Sequence, residues 1–76
     1  MGELIMAYEI VIHDCSDCEY DEPTRSCDWS AERAGAENEF ATEQEAEAAI
    51  PELMATFEDE DATQYRVRVI GERWPL

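Results

Sequence analysis

"LIMAYEIVIH", residues 4–13, decides the fold. Leu4, Met6, Tyr8, Ile10 and Ile12 alternate with Ile5, Ala7, Glu9, Val11 and His13. A period of two in a run rich in β-branched and aromatic side chains predicts a strand with one wholly apolar face. Such a face needs a cover, and "TEQEAEAAIPELMATFEDED" (42–61) supplies one. There Ala46, Ala49, Ile50, Leu53 and Phe57 recur at three- and four-residue spacing, which draws a single apolar stripe along a helix. Thr42 and Glu45 stand in capping-box spacing at its start. Pro51 has no N–H and its ring clashes with the preceding turn, so it predicts a kink, or a break into two short helices with the second beginning at Pro51.

Two further segments alternate. Cys27, Trp29 and Ala31 against Asp28, Ser30 and Glu32 predict a second strand, with Gly35 free to take a positive φ in a tight turn before a short extension ending at Phe40. "QYRVRVIGE" (64–72) sets Tyr65, Val67 and Val69 against Arg66, Arg68 and Ile70, a half-exposed strand closed by Gly71. Arg66 and Arg68 are expected to pair with Glu9 across the sheet. Residues 14–26 have no period and read as a solvated loop closed by a turn at Pro23. Trp74 either folds back to cap the core or stays exposed as an anchor. The sum is one α+β domain over residues 1–76: a three- or four-stranded, mostly antiparallel sheet with one kinked helix packed on one face.

Composition narrows the function. A chain of 76 residues builds a core worth only about 3–5 kcal/mol, with no room for a second domain or a deep substrate cleft, so an enzyme is not expected. Twenty acids, fourteen of them Glu, face five Arg and no Lys, for a net charge of −15. That surface repels nucleic acid and anionic membrane, both of which attract proteins through Lys and Arg. No run approaches the roughly 18 apolar residues of a membrane span, and the first residues lack the pattern of a secretory signal, which predicts a cytoplasmic protein. The odd count of three cysteines fits a reducing compartment.

Those cysteines lie in "HDCSDCEYDEPTRSC" (13–27). His13, Cys15, Cys18 and Cys27 could close a tetrahedron around zinc, although one C-x-x-C with a lone Cys and a His two residues upstream is not the paired-knuckle pattern of strong zinc sites. A redox centre needs a lowered thiol pKa, and Asp14, Asp17, Glu19, Asp21 and Glu22 would raise it. The simpler expectation is an acidic loop with buried or idle thiols, at most one adventitious disulfide among them, no metal ligand and no cofactor. His13 is the only histidine, and no catalytic set can be assembled around it.

The acids form two blocks. Asp14, Asp17, Glu19, Asp21 and Glu22 occupy the loop, and Glu37, Glu39, Glu43, Glu45, Glu47, Glu52, Glu58, Asp59, Glu60 and Asp61 lie on and around the helix. A sixteen-residue helix is about 24 Å long, and duplex DNA carries a charge every roughly 1.7 Å, so a row of carboxylates could imitate several base pairs. A groove lined with Lys and Arg would attract it. These fifteen residues are the candidate partner-binding set, with solvation or adaptation to high salt as the plain alternative.

In size, acidity and lack of a catalytic set the chain resembles the small phage-encoded anti-CRISPR and antirestriction proteins that mimic DNA. The resemblance covers the whole chain and rests on composition and architecture. It implies an inhibitor; the chain itself is expected as a monomer or small homo-oligomer. Such an inhibitor docks on the basic groove of a CRISPR–Cas surveillance complex or restriction enzyme and blocks target binding without touching nucleic acid or membrane itself. The alternative is a zinc-binding interaction module built on His13, Cys15, Cys18 and Cys27.

Overall fold

Pairing around one strand organises the molecule. The computed structural model describes residues 7–16, 18, 22–35 and 37–74. Strand β1 (Tyr8–His13) lies between β2 (Trp29–Ser30) and β3 (Tyr65–Val69), antiparallel to both, and helix α1 (Glu43–Thr56) packs on one face. Leu4, Ile5 and Met6 of the predicted strand fall outside the described residues. The alternation read from the sequence holds from Tyr8 onward: Ile10 and Ile12 face α1, and Val11 faces the other way.

β2 is only two residues long, so most of that edge of β1 needs other partners. The side chain of Asn38 supplies them, its Nδ2 donating to the Ile10 carbonyl and its Oδ1 accepting from the Ile10 amide, both at 2.7 Å. Phe40 adds a single bridge to Tyr8 at 2.8 and 2.9 Å. A side-chain amide thus replaces a peptide unit, and among the described residues the buried backbone of β1 is satisfied without a fourth strand.

α1 begins as its sequence implies, with the Thr42 hydroxyl accepting from the Glu45 amide at 3.1 Å. It runs unbroken through Pro51, so the predicted second helix is not found. Its end departs from the predicted stripe. Phe57 is 49% exposed because it is the C-cap, where the chain leaves the helix axis, and Met54 takes the core position instead. The amide of Glu58 bonds to the Ala55 carbonyl and that of Asp59 to the Met54 carbonyl, with Glu58 at φ +54°. This is a Schellman ending with glutamate where glycine is usual.

The sheet has a core on each face. Ile10, Ile12, Ala46 and Tyr65 are buried under α1, and Val11, Cys27, Trp29 and Trp74 are buried on the opposite side with Cys15, Cys18 and Ala31 packed against them. The 14–26 segment is therefore not wholly solvated. Pro23 is buried, and its carbonyl accepts from Arg66 Nη2 at 2.7 Å. Trp74 folds back and makes an edge contact with Trp29 at 5.8 Å. Arg68 pairs with Glu9 at 2.6 Å as expected, whereas Arg66 turns to Pro23 and lies over Trp29. No described helix is long and apolar enough to cross a membrane.

Candidate metal centre

The register of β1 on β2 assembles most of the cysteine site. His13 is opposite Trp29, and the Asp14 amide bonds to the Asp28 carbonyl at 2.9 Å, so the antiparallel pairing runs on past the strands. Continued by one residue, that register sets Cys15 opposite Cys27, and the period of two sends both to the face that carries His13 and Trp29. The C-x-x-C spacing then brings Cys18 back. One ligand atom from each of His13, Cys15, Cys18 and Cys27 lies within 4.8 Å of all the others.

The imidazole is held in one tautomer by a chain of partners. Asp61 carboxylate oxygens only accept, so the Gln64 Nε2 that lies 3.2 Å from Asp61 Oδ2 donates there, and Gln64 Oε1 is turned to His13 Nδ1 at 2.9 Å. That oxygen in turn only accepts, which places the ring proton on Nδ1. His13 Nε2 keeps its lone pair, and it is buried with no hydrogen-bond partner. A histidine whose Nδ1–H is anchored on a carbonyl while Nε2 aims into a thiol cluster is how metal-binding imidazoles are oriented. Asp61 is itself fixed: Thr63 donates to it from both hydroxyl and amide, which with Gln64 lowers its carboxyl pKa. An edge contact with Trp29, ring centroids 5.3 Å apart, fixes the imidazole from the side.

Thr24 prepares the sulfur side. Its carbonyl accepts from the Cys27 amide at 3.0 Å and from Trp29 Nε1 at 2.8 Å, forming a tight turn in which the Thr24 amide donates to Cys27 Sγ at 3.4 Å. That amide is the largest influence bringing the Cys27 thiol pKa down to about 7; burial opposes it, and hydrogen bonds with Cys18 and the Thr24 hydroxyl add to it. Carboxylates were expected to raise thiol pKa values here, but at Cys27 the short-range donors aimed at the sulfur prevail.

The three thiols are not joined by a disulfide. Cys18 and Cys27 Sγ are 3.3 Å apart, far beyond the roughly 2.05 Å of an S–S bond. A tetrahedral zinc thiolate site, with Zn–S near 2.3 Å, has sulfur–sulfur edges of about 3.8 Å, inside the span this cluster covers. Three thiols and an imidazole suit Zn(II), and four protein ligands leave no open position for a substrate.

The predicted partner-binding acids separate into groups. Asp17, Glu19 and Asp21 lie outside the described residues. Asp14 pairs with Arg33 at 3.5 Å, Asp59 accepts from Tyr65 Oη at 3.0 Å, and Asp61 serves Thr63 and Gln64. Glu22, Glu37, Glu39, Glu43, Glu45, Glu47, Glu52, Glu58 and Glu60 are exposed. At about 100° per residue, Glu43 and Glu47 project from one flank of α1 and Glu45 and Glu52 from the other, so the helix carries two acidic rows. Gln64 and Thr24 were not read as site residues from the sequence, and Asp61 was read only as a partner-binding acid, because an amide, a hydroxyl and an acid carry no metal-site signal in themselves.

Among known proteins, no family model, no curated sequence and no solved structure matches this chain.

Proposed function

We propose that the chain is a non-catalytic, zinc-organised interaction module of the cytoplasm, in which His13, Cys15, Cys18 and Cys27 hold one Zn(II) that clamps the outer core. The observation that carries this reading is the buried, partnerless His13 Nε2 facing three sulfurs, all four ligand atoms within 4.8 Å. A small domain gains folding free energy from such a clamp, because the metal cross-links the β1 end, the loop and the start of β2. Protein purified without added zinc is expected to carry one zinc per chain. Cobalt substitution should give thiolate-to-metal charge-transfer absorption, and Cys15→Ser should abolish it. Substoichiometric metal, with a melting temperature indifferent to chelator, would overturn the reading.

What the module binds is suggested by its charge. A second reading, a DNA mimic docking on a basic nucleic-acid-binding protein such as a CRISPR–Cas complex or restriction enzyme, is favoured by the exposed glutamates and by the engagement of arginines within the fold. Arg25 lies over Trp74, Arg66 over Trp29 and Arg68 on Glu9, while Arg33 holds Asp14. Reversing Glu43, Glu47 and Glu58 together to lysine should weaken capture of a basic partner at least tenfold at low salt. Unchanged capture would remove the helix from the docking surface.

A further inference from the structure

Two clefts flank α1, and they differ in charge. One, of about 250 Å³, sets Glu43 and Glu47 against Arg25 and Arg66, so its acids face cations of the same chain. The other, of about 280 Å³, is of mixed lining: Phe40, Ala49 and Leu53 give it an apolar strip beside Asn38 and Thr56, and it carries Glu37 and Glu52. Both of these carboxylates belong to exposed residues, and neither has a hydrogen bond or ion pair among the described residues. The walls are held in place: Asn38 is bonded to both backbone groups of Ile10, Phe40 is bridged to Tyr8, and the Thr56 hydroxyl bonds the Glu52 carbonyl.

We propose that this second cleft receives a lysine or arginine side chain of the basic partner, a step that rests on the partner reading above. An anion would meet two uncompensated carboxylates. A wholly apolar ligand would take water from those carboxylates and return no hydrogen bond. A lysine or arginine answers both parts of the site, its methylene stem lying on the apolar strip and its cationic head reaching the two carboxylates. The −15 net charge draws cations to the molecule in general; the cleft selects those with a long stem.

The test uses the full, zinc-loaded chain, ¹⁵N-labelled, and three capped pentapeptides with glycines around one central residue. That residue is lysine, 2,4-diaminobutyrate, which has half the stem and the same charge at pH 6, or norleucine, which has a similar stem and no charge. The lysine peptide should shift the amides of Phe40, Ala49 and Leu53 and bind about threefold or more tighter than either of the others, since each buried methylene counts. Glu37→Gln with Glu52→Gln should weaken it severalfold, while the charge-matched pair Glu32→Gln with Glu72→Gln, exposed acids that do not line the cleft, should change it less than about twofold. Equal binding of lysine and diaminobutyrate, or shifts spread over all acidic segments, would overturn the proposal. If a basic partner is captured equally well by the Glu37→Gln/Glu52→Gln protein, the partner reading stands and the cleft is excluded from it.

Discussion

Gln64 shows how much one uncharged side chain can decide. Its amide is read in one direction by Asp61 and transmits that direction to His13, so a bond made 51 residues away in sequence selects which imidazole nitrogen offers a lone pair to the thiols. Gln64→Leu keeps the bulk and removes the acceptor. It is expected to lower zinc affinity about 10- to 100-fold, measured by competition with a chromophoric chelator, while the metal-free protein keeps its far-ultraviolet dichroism. If affinity is unchanged, the imidazole is oriented by Trp29 alone. Asn38 acts in a comparable way on the opposite side of β1, serving as a peptide group for Ile10. Neither role has a composition or spacing signature, because each depends on what the fold places opposite the amide.

At the scale of elements, α1 begins as its sequence dictates and ends under strain. Thr42 makes the predicted cap, a strictly local bond. At the other end Glu58 holds a left-handed conformation that costs an L residue roughly 1 kcal/mol and glycine almost nothing. Glu58→Gly is therefore expected to raise stability by about 1 kcal/mol in urea denaturation, with Glu58→Gln as the control that removes the charge and keeps the side chain. A gain of equal size in both variants would assign the effect to charge. Phe57 was placed in the core by its spacing, yet the helix stops one residue earlier and the periodicity no longer applies there.

Across the whole molecule the opposing terms are self-repulsion and two small cores. A net charge of −15 on 76 residues disfavours compactness, and most arginines sit on the sheet face that also carries Trp29 and Trp74. Added salt screens the repulsion between exposed charges more than about 10 Å apart at 0.1 M. Raising sodium chloride from about 0.05 to 0.5 M should thus raise the melting temperature by several degrees, and the proposed zinc clamp predicts a larger rise in chelated than in zinc-loaded protein. A melting temperature that falls with salt would mean that ion pairs such as Glu9–Arg68 outweigh the repulsion.

The sequence by itself determined the two strong periods, the capped helix start, the antiparallel α+β arrangement and the acidity, because each follows from neighbours along the chain. The candidate metal centre was legible only as four residue types with imperfect spacing. What joins them is the pairing of His13 with Trp29, which carries Cys15 toward Cys27, and the side chain of Gln64 from the far end of the chain. A register is a relation between segments, and so is the direction of a lone pair; tertiary structure decided both.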